Sequence, residues 1–539
     1  MIDELTTVAA PLAPHLSKRK RRALTWTPPF LHGSIDVGLL LFLLLFLDVK
    51  VAVKIPALIL AFLYQPAFSK KIPPFYIGII LLTVVEWLLH RGSVPPHYDL
   101  VAALALFGWI LCAGAAQQVR GFSEGDVERT LTVFFLINIL VSLCELGRIM
   151  WEIKALNPYL YQGMYQKYFI RTGDFIRGVT FDTSTTNALI NAFGVVFFLT
   201  RRKGWMMLCC MGCLLLTGSN FTNLLLLVVM AWMFIFRSDR LQKGGIVLCV
   251  LMGVIFMGKV TPQNQAYVDE TFDRWMHRTQ NDQATTAGAG PSDREMFARH
   301  YMDSVQQAGI ARIKAQTVAP AWTAKPEIPQ PDINSAPYQS RADTTDEQRR
   351  VQQFVAAHLS GLPRSSATGL PQNGHVPGKV LALKDLVSFY REHPTRVFLG
   401  DGPGNFSSKL AFRATGLGVA GGYPGRWTYI HPDFLKYHLD LFLAYFSRPK
   451  ESHSLVNTPD SVPGQLLGEY GLLGLGLFVG GYLVFFARKA VRADRLRGKT
   501  NAAAWPLLGL MAGAFCMGYW FEQLSIVVLF ELMIYMDGV

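Results

Sequence analysis

Charge is scarce in this sequence: 17% of its 539 residues are Asp, Glu, Lys or Arg, whereas 51% are hydrophobic. This composition is too apolar for a soluble protein of such length. Apolar runs of about 17 to 25 residues, each long enough to cross a bilayer as a helix, recur along most of the chain. The sequence therefore predicts a membrane protein built around its spans.

Motifs for nucleotide chemistry are also missing. No Gly-x-x-x-x-Gly-Lys-Ser/Thr loop is present, and no Gly-x-Gly-x-x-Gly follows a predicted strand. These absences argue against chemistry driven by ATP or nicotinamide. Because no repeated halves are visible either, the sequence does not favour a secondary transporter.

Cysteine is rare, and all seven cysteines fall within apolar runs. None lies in the long segment 261–462, so we expect that segment to fold without disulfides. The group Cys209-Cys210-x-x-Cys213 has no histidine near it, which favours packing of small apolar side chains over a metal site. The sequence predicts no metal and no cofactor.

Twelve apolar segments are candidate spans. They are residues 33–48, 51–68, 74–90, 98–117, 129–150, 183–200, 204–218, 221–236, 244–260, 463–487, 502–519 and 521–536. Basic clusters, from Lys18–Arg22 to Arg488–Lys499, fall at alternate connections, as cytoplasmic connections require. The predicted fold is an all-α polytopic membrane protein with about twelve transmembrane helices and both termini inside.

These spans divide the chain into four parts. The parts are a basic cytoplasmic segment at 1–32, spans one to nine in 33–260, a large extracytoplasmic loop at 261–462, and spans ten to twelve in 463–539. The loop is predicted to be mostly helical, with helical apolar spacing for example at 379–392. Because its acidic and basic residues are nearly equal in number, a nucleic-acid partner is not predicted.

Cations cluster with aromatics just before the span that begins near residue 183. Lys167, Arg171 and Arg177 stand on the predicted outer side, where such cations can pair with the phosphates of a lipid-linked substrate. Anchoring of Lys167 and Arg171 in lipid headgroups is the alternative. Arg177 is followed by Gly178 and a polar stretch that leads into the apolar run, and polar segments at membrane depth usually line a cavity.

Three short motifs resemble elements of one membrane enzyme family. Phe398–Phe406, FLGDGPGNF, resembles the G-x-G-P-G-N-F turn in the large loop of O-antigen polymerases and ligases. Glu469–Gly474, EYGLLG, is similar to their E-x-G-x-x-G element at the start of the next span, and Arg177-Gly178 resembles their Arg-Gly element. The motifs occur in the order, and at the places among twelve predicted spans, that are typical of the O-antigen polymerase and ligase superfamily. The chain therefore resembles this superfamily over most of its sequence.

The resemblance implies a glycosyltransferase of the bacterial inner membrane with its large loop in the periplasm, acting in polysaccharide and lipopolysaccharide biosynthesis. It implies inverting, metal-independent transfer from an undecaprenyl-diphosphate-linked glycan to an acceptor hydroxyl, within membrane lipid and alongside a chain-length regulator and a flippase. The predicted catalytic residues are Arg177, His453 and Asp460. The predicted substrate-binding residues are Lys167, Arg171, Asn220, Arg391, Arg396, Arg413 and Glu469.

Departures from the ligase pattern favour a polymerase. Ser219-Asn220 stands where ligases carry Ser-Arg, and His453 lies earlier than the ligase histidine, whose place falls near Asp460. Arg391 precedes Gly402 with the Arg-x10-Gly spacing of some polymerases. Ligase activity, with transfer to a lipid A core, stays open as the alternative.

Two other classes of function also stay open. Carboxylates within predicted spans are costly, and in a transporter they would suggest a proton relay. They are Asp36, Glu86, Glu145, Glu522 and Glu531. A non-catalytic scaffold is the remaining alternative. Asp401 is interpreted as structural, because Asp is favoured in Gly-Pro-Gly turns for local hydrogen bonding.

Overall fold

A computed structural model of the protein describes most of the chain outside its long central segment. The described residues are 25–26, 35–47, 51–64, 72–91, 97–119, 124–160, 172–181, 183–261, 378–416, 425–439, 441 and 458–537. The chain divides into two compact units, Met1–Val260 with Arg350–Val539, and Thr261–Arg349. Of the second unit, only Thr261 is among the described residues.

The N-terminal half is helical after one short sheet. Strands β1 (Thr25–Trp26) and β2 (Ile35–Asp36) pair antiparallel, with Thr25 opposite Asp36. The helices are α1 (Val37–Phe46), α2 (Val51–Tyr64), α3 (Pro74–His90), α4 (His97–Val119), α5 (Glu124–Ile153), α6 (Ser184–Thr200), α7 (Gly204–Leu216), α8 (Asn220–Phe236) and α9 (Arg240–Ile255). A π-helical turn, Phe256–Val260, extends α9. Asp36 begins α1 by accepting the Leu39 amide at 3.0 Å.

The C-terminal half is helical as well. Its helices are α10 (Gly378–Glu392), α11 (Lys409–Ala414), α12 (Pro432–Phe434, continued by a π turn at Leu435–Leu439), α13 (Val462–Leu477, continued by a π turn at Phe478–Leu483), α14 (Val484–Arg497), α15 (Ala504–Phe515), α16 (Trp520–Gln523) and α17 (Ser525–Asp537). The predicted loop helix at 379–392 is confirmed as α10. The predicted last span is divided at Leu524, which has a left-handed φ of 67°.

Four helices are long and apolar enough to cross a membrane. They are His97–Val119, Val127–Ile153, Arg240–Val260 and Val462–Arg497, and seven shorter apolar helices accompany them in the described part of the chain. A mostly helical protein with helices suited to a bilayer is thus confirmed. The count of twelve crossings, the inner membrane and the side on which the large loop lies stay predictions.

Two helices form the centre of this unit. Every residue of α6 from Thr186 to Thr200 and every residue of α17 is buried, whereas α3, α8 and α9 expose leucine and valine side chains. A helix that is apolar all round belongs inside a bundle, and a helix with one apolar exposed face suits contact with lipid. Aromatic rings of α3, α4 and α13 pack beside this centre, with Phe75 contacting Trp109 and Phe478 edge-on.

Candidate functional site

The two motif segments of the C-terminal half meet in a set of backbone hydrogen bonds. In an unbroken α13, the amides of Leu472 and Leu473 would bond to carbonyls four residues earlier. They donate instead to carbonyls of the loop that precedes Asp401. In return, two amides of the Asp401 turn donate to the α13 carbonyls that would have accepted those bonds. The four bonds are Leu472 N to Val397 O (2.9 Å), Leu473 N to Phe398 O (3.1 Å), Asp401 N to Gly468 O (3.0 Å) and Gly402 N to Glu469 O (3.0 Å).

Gly471 makes this exchange possible. Its φ of 61° and ψ of −159° interrupt α13, in a backbone region that is essentially restricted to glycine. A Cβ atom at this position would lie 2.4 Å from the carbonyl oxygen of Phe398. The turn Gly400–Phe406 and the break at Gly471 thus form one structure, which we call the helix-break dock. It explains why both motifs occur together.

Two carboxylates, the buried Glu469 and the partly buried Glu522, lie beneath the helix-break dock. Glu469 faces the amides of Gly404 and Ser407 and the hydroxyl of Ser408. Glu522 accepts the Lys409 amide at 3.2 Å and the Gln465 side-chain amide at 2.6 Å. Arg413 lies within electrostatic reach of Glu522, as does Glu469. Of the predicted substrate-binding residues, Glu469 and Arg413 are therefore brought together around Glu522.

A second group of charges lies on the other side of the turn. Arg396 Nη1 lies 3.7 Å from Asp401 Oδ1. The same nitrogen contacts His90 Nε2. Asp401 Oδ2 lies 3.1 Å from His431 Nδ1. The buried Asp401 side chain therefore contacts other segments as well as belonging to its own turn, and its interpretation as a structural residue stays a prediction. We call Asp401, His431 and Asp433 the outer carboxylate cluster.

The predicted base Asp460 lies just before α13, beside the partly buried Lys379. Its Oδ1 is shielded from solvent and accepts no hydrogen bond in the described part of the chain. Burial raises the pKa of the Asp460 carboxyl to about 6, against the opposing effect of Lys379 and Lys409. Lys379 on α10 donates to the main-chain carbonyl of Asp460, and burial lowers the pKa of its ammonium to about 8. Asp460 is thus a carboxylate whose proton affinity is close to that of a general base at neutral pH.

Arg177 lies at an apolar cavity on the face of α5. The cavity has a volume of about 650 Å³ and is lined by Ile137, Leu140, Val141, Cys144, Glu145, Arg148, Phe175, Arg177 and Phe181. Arg148 and Arg177 are both exposed. Glu145 Oε2 accepts the amides of Arg177 and Gly178 at 2.8 and 2.9 Å, which holds the backbone of the Arg-Gly element against α5. We call this the arginine cavity.

The other predicted residues are dispersed. Lys167, Arg171 and His453 lie outside the described residues. Asn220 is the first residue of α8 and follows the Thr217–Gly218 turn. Gly173 packs closely against this turn, so the start of α8 neighbours the segment that carries Arg177. Arg391 is an exposed residue of α10. Arg177 and Asp460 contact different residues, and the structure therefore describes two separate clusters.

Several residues of these clusters were not predicted from the sequence. His90 ends an apolar helix, and His431 stands in a segment without a motif, so neither carried a signal of its own. Lys379 starts a helix that was recognised only by its apolar spacing. Arg148 could have been found, since an arginine near the end of an apolar run stands three residues after Glu145, one of the costly in-membrane carboxylates.

Comparisons of the chain with protein-family models, curated proteins and solved structures find no match. The resemblance to the O-antigen polymerases and ligases therefore rests on the motifs.

Proposed function

We propose that the protein is a polysaccharide polymerase that transfers a glycan from an undecaprenyl-diphosphate-linked donor to an acceptor hydroxyl at the outer face of the bacterial inner membrane. The main support for this proposal is the arginine cavity. An isoprenoid diphosphate joins a long apolar chain to a dianionic head, and this cavity joins apolar walls to two exposed arginines. Arginine binds phosphate oxygens with two parallel N–H donors, which suits a diphosphate better than a lysine would.

The position of Arg177 supports a role in leaving-group stabilisation. Its backbone is held by Glu145, while among the described residues its side chain makes one long bond, from Nε to Asp174 O at 3.5 Å. A guanidinium on a fixed backbone can be directed at charge that develops during the reaction. Breaking the bond between the anomeric carbon and the diphosphate oxygen places that charge on the undecaprenyl diphosphate.

Asp460 is the proposed base. A carboxylate with a pKa raised to about 6 is largely ionised at neutral pH and takes up a proton more readily than an ordinary aspartate. In the proposed step, which requires the bound glycans to reach from the arginine cavity to Asp460, the acceptor hydroxyl gives its proton to Asp460 and its oxygen attacks the anomeric carbon from the face opposite the diphosphate. This single displacement inverts the anomeric centre, and it requires no metal where arginines neutralise the leaving group.

The hydrogen bonds of the carboxylates within predicted spans do not favour the alternative of a transporter. Four of them accept hydrogen bonds in separate places: Asp36 from Leu39, Glu145 from Arg177 and Gly178, Glu522 from Lys409 and Gln465, and Glu531 from Tyr76 at 2.5 Å. Local bonds of this kind stabilise helix starts and packing. A proton relay would instead need these groups to follow one another along a path.

The test is an assay of product size. Purified protein is incubated with a native lipid-linked donor, and we expect a ladder of lengthened glycans on undecaprenyl diphosphate that is lost with the Arg177→Ala variant. Deletion in the cell should leave single repeat units and remove only long chains. If deletion leaves full-length polymer accumulating on undecaprenyl diphosphate, the protein is a ligase. Absence of any transfer by wild-type protein would contradict both forms of the proposal.

The proposed location has a test of its own. A cysteine replacing Ser335, within the large loop, should react with a membrane-impermeant thiol reagent in intact spheroplasts, because alternating basic clusters put this loop outside. A cysteine replacing Arg240, an exposed residue at the start of α9 beside the basic connection, is the matched control and should react only after lysis. The reverse pattern would overturn the predicted orientation.

A further inference from the structure

We infer that the outer carboxylate cluster is a binding site for a divalent transition-metal cation. Asp401, His431 and Asp433 each offer one ligand atom, and the three atoms lie within 4.8 Å of one another. The ligands come from two segments, the turn of the helix-break dock and the start of α12. A bound cation would join these two segments.

The orientation of His431 is the first argument. Its Nδ1 lies 3.3 Å from the Asp433 amide, a long contact that this nitrogen would exchange for a cation, because it has one lone pair. The same nitrogen faces Asp401 Oδ2 at 3.1 Å and Asp433 Oδ2 at 3.8 Å. Three atoms that can each ligate a cation thus converge. A cation bound among them would be attracted to both carboxylates.

The buried carboxylate is the second, independent argument. Asp401 is 1% exposed, and its Oδ2 accepts no hydrogen bond in the described part of the chain. Arg396 approaches the other oxygen, Oδ1, at 3.7 Å and so leaves Oδ2 directed at His431. A buried carboxylate oxygen without a partner is costly, and metal coordination is one of the few ways to satisfy it.

Distances and access fit a small cation. Bonds of about 2.0–2.2 Å from zinc to nitrogen and oxygen imply ligand atoms about 3 to 3.5 Å apart. The contact of 3.1 Å already meets this spacing, and that of 3.8 Å needs a shift of a few tenths of an ångström. The side chains of His431 and Asp433 are 15% and 21% exposed, which leaves solvent a path to the site.

The donor set selects the class of metal. Two carboxylates and one imidazole suit Zn²⁺ or Mn²⁺, while Mg²⁺ and Ca²⁺ prefer oxygen ligands alone. His393 Nε2 lies 3.8 Å from Asp433 Oδ1, where it can orient the carboxylate from behind. The cation would be structural: it lies with the loop segments and is independent of the proposed transfer chemistry.

Metal binding by the purified full-length protein tests the inference without any glycan donor. Protein carrying a tag without histidine is stripped with EDTA and titrated with Mn²⁺, followed by electron paramagnetic resonance, or with Zn²⁺, followed by metal analysis. We expect one ion per chain and a higher melting temperature with metal. Asp433→Asn and His431→Ala should each weaken binding by at least about tenfold.

The matched control is Glu392→Gln, which removes a half-exposed carboxylate that pairs with Lys436 nearby and should leave binding unchanged. Melting in EDTA shows whether each variant is folded, and equal melting of variants and wild type without metal is expected. Failure of stripped wild-type protein to take up either ion would overturn the inference. Equal binding by Asp433→Asn, His431→Ala and wild type would overturn it as well.

Discussion

The helix-break dock and the arginine cavity use polar groups in opposite ways. In the dock, broken helix bonds are replaced one for one by bonds to the loop, and the carboxylates beneath it face amides, hydroxyls or cations of the same chain. In the cavity, Arg148 and Arg177 are exposed among apolar walls, and Glu145 bonds to backbone amides.

The difference separates a structural role from a binding role. A polar group whose partners lie within the protein stabilises the fold, and its loss costs stability. An arginine at an apolar cavity that is held in place through its backbone can use its guanidinium donors to bind a ligand. Its loss is expected to weaken ligand binding or to slow the reaction. The resemblance to a family drew attention to residues of both regions alike, whereas their contacts distinguish them.

The largest effect is expected from Gly471→Ala. A Cβ at this position would lie 2.4 Å from the Phe398 oxygen, on a backbone that side chains rarely adopt. We expect a loss of at least about 3 kcal/mol and little folded protein after detergent extraction, measured by gel filtration. Gly476→Ala is the matched control in the same helix, because nothing lies within 4 Å of a Cβ there. Equal yields of both variants would show that the break does not require glycine.

The second-largest effect is expected from substitution of Arg177, which should slow glycan transfer without affecting folding. Arg177→Ala should reduce transfer by about 100-fold or more, and Arg177→Lys should recover little, because lysine lacks the paired donor geometry. Arg240→Ala removes an exposed arginine at the start of α9 and should leave both rate and melting unchanged. Full activity of Arg177→Lys would indicate a simple charge requirement, and full activity of Arg177→Ala would remove this residue from the site.

A pH profile tests the pair of Asp460 and Lys379. If Asp460 is the base, its carboxylate form is active, so the rate should rise as pH rises through about 6. Lys379 lowers the pKa of Asp460, so Lys379→Met should move this limb to higher pH by at least about one unit. Lys384→Met, an exposed lysine of the same helix, should leave the limb in place. An unchanged limb in Lys379→Met would exclude Asp460 as the titrating base.

Much of the fold was predictable because a membrane makes helices and apolar runs coincide. The run at 98–117 is α4 (His97–Val119), and the run at 183–200 is α6. The break at Gly471 could not be predicted as such. The Glu-x-Gly motif marks the place, but the break is stable only because Val397 and Phe398 accept the freed amides, and that pairing joins residues more than seventy positions apart in the chain.

The candidate site was predictable only in part, for a related reason. Arg177 stood out because its polar surroundings run into an apolar segment. His90 and His431 carried no such signal, because their importance comes from facing Arg396 and Asp401 across the fold. The Gly-Pro-Gly turn suggested a structural role for Asp401, but the turn alone could not predict that its side chain contacts Arg396 and His431.

The smallest effect should come from Tyr429→Phe, which removes one hydrogen bond from the helix-break dock. The Tyr429 hydroxyl donates to Asn405 Oδ1 at 2.8 Å, and Asn405 Nδ2 donates in turn to the Asp401 carbonyl at 2.7 Å. Loss of one buried bond of this kind costs about 1 kcal/mol. Because the dock is structural, we expect a lower melting temperature and an unchanged transfer rate under conditions where the variant is folded. A tenfold slower rate in a fully folded variant would show that the dock positions substrate, and the division between a stabilising dock and a binding cavity would then fail.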